Sequence, residues 1–193
     1  MLLGPDDPLP RRPSRIVVAG VSGSGKTTLA RRAAARLGVP HVEIDALFHG
    51  PGWRPRPEFL ADVERLVVRE EWVTEWQYAA ARPLLLARAD LMVWLDLPVA
   101  RTMTQVTVRT VTRRVGRVEL WNGNREGPLL GVLHQPDHII RWAWRTRHKY
   151  DGLPERVEAV RRARALPDLP VVRLRSHRDS RRWCDGPLAA STV

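Results

Sequence analysis

Short β-branched runs alternate along this chain with segments whose apolar residues recur at helical spacing. Residues 15–19 (RIVVA) are apolar after the first position, the pattern of a parallel strand buried on both faces. A glycine-rich turn follows, and residues 27–37 (TTLARRAAARL) read as a helix stopped by Gly38. Residues 40–44 (PHVEI) and 71–75 (EWVTE) give a second and a third short strand. Between them Phe59, Val63, Leu66 and Val67 mark an amphipathic helix over 58–70. A short helix at 82–88 leads into residues 90–97 (DLMVWLDL), a strand closed by Pro98. Residues 99–118 then suit an Arg-rich helix, 119–137 a loop, and 138–150 a helix dense in Trp and Arg. A helix at 154–165 and a strand at 169–174 complete the pattern. Strands alternating with helices predict an α/β fold around a parallel sheet. The 193 residues suit a single domain. That domain is expected over 15–183, with 1–14 as a flexible leader and 184–193 as a C-terminal tail.

The turn after the first strand is the strongest chemical signal. Gly20-Val21-Ser22-Gly23-Ser24-Gly25-Lys26-Thr27 matches G-x-x-x-x-G-K-[ST] between a strand and a helix, the context that motif needs. Glycines let the backbone turn tightly and aim N–H groups inward, and the helix start adds its dipole. Gly20, Ser22, Gly23, Ser24, Gly25, Lys26, Thr27 and Thr28 are therefore expected to cradle the phosphates of ATP. Lys26 would bridge the β- and γ-phosphates, and the Thr27 hydroxyl would ligate Mg²⁺.

Composition narrows the remaining classes. The chain is 44% hydrophobic and 27% charged, which is globular rather than disordered. It has no apolar run of 18 residues and no signal-peptide pattern, so a cytoplasmic protein without a membrane span is expected. One cysteine excludes a disulfide framework, and the six histidines show no metal-ligand spacing. The net charge of +11 is unevenly placed. Residues 1–100 hold 13 basic and 12 acidic side chains, whereas residues 101–182 hold 19 and 8. An excess confined to one region points to an anionic partner there: nucleotide phosphates, or less readily nucleic acid.

The segments GVSGSGKTT (20–28), IDALFHGPGW (44–53), WVTEWQY (72–78), ADLMVWLDLP (89–98), LWNGN (120–124) and RWAWRTRHKY (141–150) together resemble one family. These are the adenylate-kinase-like bacterial P-loop proteins labelled topology modulation proteins, among kinases of nucleotides and small metabolites. The P-loop string also resembles that of gluconate-type kinases. The resemblance implies three α/β/α layers around a five-stranded parallel sheet in the order 2-3-1-4-5. It further implies an acceptor-binding segment after strand 2 and a helical, Arg-rich lid after strand 4, at about 101–150. The family usually carries an Asp-Gly-Asn-Tyr-like turn after strand 3, where this chain has Glu75-Trp76-Gln77-Tyr78.

The expected activity is transfer of the ATP γ-phosphoryl group, with Mg²⁺, to a nucleotide or a small hydroxyl metabolite, by a monomer or homodimer. The alternative is a nucleotide-regulated DNA-binding protein, against which no helix-turn-helix, zinc-finger or RNA-binding signature is present. Asp45, after the second strand, is expected to orient an acceptor or take its proton; capping of the next helix is its structural alternative. His49, Trp53, Arg54 and Arg56 follow in a loop that suits a ring or an anion. Glu75 is expected at a magnesium or acceptor contact, and Tyr78 beside the acceptor. Arg109, Arg113 and Arg114 share part of one helix face and suit a lid that closes on the transferred group. Arg141 and Arg145, one turn apart, form a second basic pair toward the acceptor. One of Trp142 and Trp144 is expected in the core, Asn122 and Asn124 in a turn. Arg178, after the last strand, is expected against the nucleotide base.

Overall fold

A computed structural model describes residues 1–128 and 138–191. Five strands form one parallel sheet: β1 (Leu2–Leu3), β2 (Arg15–Gly20), β3 (Trp72–Glu75), β4 (Leu91–Leu95) and β5 (Val171–Leu174). Their order is β1-β5-β4-β2-β3. β2 is an interior strand, with Ile16 opposite Val73 on one side and Leu91 on the other. Its apolar residues are buried on both faces, which is why it reads as a continuous rather than an alternating run.

Successive β2 residues feed two separate cores. Val17 and Ala19 join Trp72, Met92 and Trp94 under α3 (Phe59–Val67), α4 (Arg82–Arg88) and α7 (Leu153–Ala163). Ile16 and Val18 join Val93, Leu95 and Val172 under α1 (Lys26–Leu37), α8 (His177–Asp185) and α9 (Pro187–Ala190). The result is a three-layer α/β/α domain. α1 buries Leu29, Ala30, Ala33, Ala34 and Leu37 and ends where Gly38, at φ 73°, donates its N–H to Ala34.

The expected strand order holds for strands 3-1-4-5, with two differences at the edges. The expected second strand is reduced to one parallel bridge, His41 to Val73, beyond β3. Pro40 has no N–H to give a ladder, and the Ile44 N–H is taken by the Glu75 carboxylate at 3.1 Å, so Ile44 opens α2 (Ile44–Phe48) instead. At the opposite edge the segment expected to be a flexible leader supplies β1. Leu2 and Leu3 pair with Val171 and Val172, and Arg12 ties the same segment to the carbonyl of Leu37 and to Glu71. The expected tail is likewise part of the fold. Cys184 and Leu188 are fully buried against α1.

Two helices carry the basic region: α5 (Val99–Val115) and α6 (Ile139–Arg145). Trp142 and Trp144 are 39% and 53% exposed, so neither is the core residue expected there. Of the loop expected over 119–137, residues 129–137, His134 among them, lie outside the described residues. The described part holds a single helical turn, Trp121–Gly123, closed by a bridge between Glu119 and Arg125.

Candidate active site

The glycine-rich turn leaves the carboxyl end of β2, where ligands of open parallel sheets bind. Gly23 and Gly25 have φ of 81° and 90°, the left-handed region open to glycine. At Gly23 there is no room either: a Cβ would stand 2.4 Å from the Thr102 carbonyl on α5. Lys26 is buried and gives its ammonium to the Val21 carbonyl at 3.1 Å. Burial lowers this amine to about 8, against the upward pull of Asp45 and Glu75, while Arg109 and Lys149 lower it further. The Ser24 hydroxyl is buried without a hydrogen-bond partner, which suits an incoming phosphate oxygen. Ser22 and Thr27 are half-buried beside the turn; Thr28 is exposed on the first turn of α1.

Thr27 bonds Glu75, which is 2% exposed at the end of β3. Burial alone would push the Glu75 carboxyl up. Bonds from His41, at 3.3 Å, from the Ile44 N–H and from Thr27 outweigh it and hold the group below the usual carboxylate range. Glu75 is thus a fixed anion behind the Thr27 hydroxyl. Among the described residues no three acidic, histidine or cysteine side chains gather as a metal cage. Magnesium in phosphate sites needs only one or two protein oxygens, with phosphates and water completing the shell. The Thr27 hydroxyl backed by Glu75 fits that demand.

Asp45 sits in the first turn of α2, and its side chain reaches the turn after β3. Gln77 Nε2 donates to Oδ1 at 2.8 Å and the Tyr78 hydroxyl at 2.6 Å. The turn after β3 is therefore what holds this carboxylate. Tyr78 adopts φ 53°, stacks on Phe48 at 3.8 Å, and its hydroxyl also lies 3.1 Å from His49 Nε2. Burial and the adjacent Asp45 charge raise the phenol far above its usual range, so it stays a donor. Burial lowers the His49 imidazole below its usual range.

A clasp covers this group. Asn124, 4% exposed, donates to the carbonyls of Gly50 and Trp121 and accepts from the Trp53 N–H at 2.9 Å. Asn122 donates to the His49 carbonyl, and the Trp121 indole to Glu43 at 2.8 Å. His49, Trp53 and Trp121 pack ring against ring. The asparagines expected to shape a turn thus also lock the 120–124 segment onto the 49–53 loop. Arg54 is exposed beside it, and Arg56 is committed to Asp62 at 3.1 Å.

Of the expected arginine face, Arg109 is half-buried, its Nε lacks a partner, and the charges of Arg113, Glu126 and Asp45 act on it. Burial, then Arg113, lowers its affinity for the proton. Arg113 and Arg114 meet Glu126 directly: Arg113 at 3.6 Å from the carboxylate, Arg114 donating to the carbonyl at 3.2 Å. Arg141 and Arg145 line an apolar groove with Met103, Ile140 and Trp144. Arg178 is exposed on α8, while its neighbour His177 is the residue that stands against Gly25 and bonds Gln105 on α5. Gln77, His41, Trp121 and His177 were not among the expected site residues. The family segments WVTEWQY and LWNGN contained two of them, but nothing in the spacing marked which side chain turns inward.

Comparison with known proteins agrees with this geometry at the level of fold. No protein-family model matches the chain. It is 38% identical over 55 residues to cytidylate kinase of Nitratidesulfovibrio vulgaris, and 43% over 58 residues to a bifunctional pantoate ligase/cytidylate kinase of Gloeobacter violaceus. Those stretches are 28% and 29% of this chain, and they span only 23% and 11% of the relatives. The structure is similar to a gluconokinase from Sinorhizobium meliloti, with a TM-score of 0.51 and 21% identity over 94% of this chain and 95% of that one. It is also similar to shikimate kinase from Acinetobacter baumannii, with a TM-score of 0.55 and 20% identity over 89% of each chain. The chain has the fold of P-loop kinases of nucleotides and small metabolites.

Proposed function

We propose that the chain is an ATP- and Mg²⁺-dependent phosphotransferase acting on a nucleotide or a small hydroxyl metabolite. The observation that supports this reading is the glycine-rich turn at the carboxyl end of β2, with Lys26 buried in it on the Val21 carbonyl and the buried Ser24 hydroxyl without a partner beside it. The glycine turn offers backbone donors and Lys26 to the phosphates of ATP. Magnesium held at the Thr27 hydroxyl, with Glu75 behind it, would supply charge neutralisation for the transferred group.

The residues of the chain then divide the work. Gln77 and Tyr78 both donate to Asp45 Oδ1, which leaves Oδ2 to face the acceptor hydroxyl. That hydroxyl oxygen bonds to the γ-phosphorus as the bond from phosphorus to the β,γ-bridging oxygen breaks. Its proton passes to Asp45 Oδ2, and ADP leaves with the bridging oxygen. Arg109, with an unpaired Nε, meets the negative charge that gathers on the moving phosphoryl. The aromatic clasp of Trp53 and Trp121 keeps water from that centre.

The test is ADP formation from ATP and Mg²⁺ across nucleoside monophosphates, nucleosides, sugars and hydroxy acids, with Lys26→Ala beside it. Acceptor-dependent turnover that vanishes in Lys26→Ala is the expected result. ATP binding without stimulation by any acceptor would sink the reading.

A further inference from the structure

We propose that the acceptor carries a carboxylate or phosphate at the end remote from its reacting hydroxyl, and that a guanidinium pocket at the end of α5 holds it. The substrate role rests on the kinase reading above; the binding site does not. Arg113, Arg114, Arg117, Arg125 and Glu126 line a cavity of about 390 Å³. Four guanidiniums against one carboxylate leave a formal excess of three positive charges on its walls. Glu119 reaches Arg125 from the rim at 4.0 Å, and removes at most one of them.

The pocket adjoins the transfer centre without being part of it. Arg109, on which the Asp45 charge acts, precedes Arg113 by one helical turn, and α5 ends two residues after Arg113, at Val115. At 1.5 Å per residue the step from Arg109 to Arg113 is about 6 Å along the axis, and Arg117 lies beyond the helix end. A molecule with a hydroxyl at Asp45 and an oxyanion several bonds away spans that gap. Hydroxy acids and sugar phosphates have this form, whereas a neutral sugar or nucleoside leaves the guanidiniums without a partner.

The backbone supports the same assignment. Arg117 sits at φ 48°, in the left-handed region that costs a residue with a Cβ, while Gly116 beside it has φ −74°. The position that favours glycine is thus given to an arginine, and that arginine is on the cavity wall. The Glu126 carboxylate meets Arg113 and its main-chain carbonyl meets Arg114, so a bidentate oxyanion at Arg113 need only displace one carboxylate.

The test fills the P-loop with ADP and Mg²⁺ and titrates matched pairs by calorimetry: glucose against gluconate, and ribose against ribose 5-phosphate. At least one charged partner is expected to bind tenfold or more tightly than its neutral twin. The pair that shows the difference separates a carboxylate from a phosphate. Arg117→Gln/Arg125→Gln, two exposed positions, is expected to erase it and leave ADP affinity unchanged. Arg117→Lys/Arg125→Lys is expected to retain part of it. Equal binding within both pairs, no binding of either charged probe, a difference that survives the Gln variant, or a loss of ADP affinity would each overturn the proposal. Absence of turnover with every acceptor overturns the kinase reading alone, because the calorimetric difference is measured without catalysis.

Discussion

The phosphate cradle and the acceptor side of this molecule are built by opposite means. In the proposed site the cradle is eight consecutive residues whose backbone would do the binding, and its shape is fixed by glycine conformations and by the close approach of Thr102 to Gly23. The proposed acceptor side draws on three separated stretches, around Asp45, Gln77 and Asn124, held together by side-chain hydrogen bonds, with Arg109 added by charge alone. A contiguous backbone site tolerates little change. A site assembled from side chains can change its substrate one residue at a time. This contrast explains how one P-loop fold accompanies acceptors as different as those named for its structural neighbours.

The comparison is broken most severely at Lys26, where the two sides meet. Lys26→Met is expected to lower turnover by about 10³-fold, the scale for removing a charge aimed at the transferring group. It is also expected to raise Tm. Burial depresses the folded-state amine from 10.5 to about 8. Between those values the unfolded chain binds more protons, so stability rises with pH across that window, and below pH 8 the full penalty applies. Removing the charge at pH 7 relieves about 3 kcal/mol at most, several degrees in a chain of this size. A variant that is inactive and less stable would show that Lys26 serves the fold rather than the phosphates.

Asp45→Asn tests the acceptor side alone. Turnover should fall by about 10²-fold, as for loss of a general base, with the KM for ATP unchanged. An equal rise in the KM for ATP would move Asp45 to the nucleotide side. Tyr78→Phe is the gentler version. It removes one donor to Asp45 Oδ1 but keeps the ring stacked on Phe48. A hydrogen bond to a charged group at the lower end of its range corresponds to about tenfold in kcat. No change in kcat would mean that Gln77 alone orients the carboxylate.

The same contrast governs what the sequence reveals. Gly20 to Thr27 is legible because its ligand groups are on the backbone and its residues adjoin. The central strands are legible because burial on both faces writes an unbroken apolar run. Leu2 and Leu3 are not, since a two-residue strand has no period to detect, and their pairing depends on β5 nearly 170 residues away. Asp45 is legible by its place after a strand and Tyr78 by the turn that the resemblance marks, but Gln77 is not. Only the fold shows that its amide, like the Tyr78 hydroxyl, turns to the Asp45 carboxylate. The arginines of α5 show the limit of helical spacing. Arg109, Arg113 and Arg114 share part of a face, yet Arg109 is half-buried with an unpartnered Nε while Arg113 and Arg114 meet Glu126, and spacing along the helix does not show that difference.

The smallest expected effect lies in the pH dependence of ATP binding, and it isolates the cradle from everything else. Phosphate binds the protonated ammonium, and the free protein loses that proton at about 8. Affinity for ATP should therefore be flat below pH 7 and fall as pH rises through 8. From pH 7.5 to 8.5 the protonated fraction drops about threefold, and the dissociation constant should rise by the same factor. An amine with its ordinary value would give no change in that interval. Lys26→Met removes the titrating group, so its weakened binding should be independent of pH across the same range, as acceptor binding should be for both proteins. A threefold change that persists in Lys26→Met would assign the proton elsewhere.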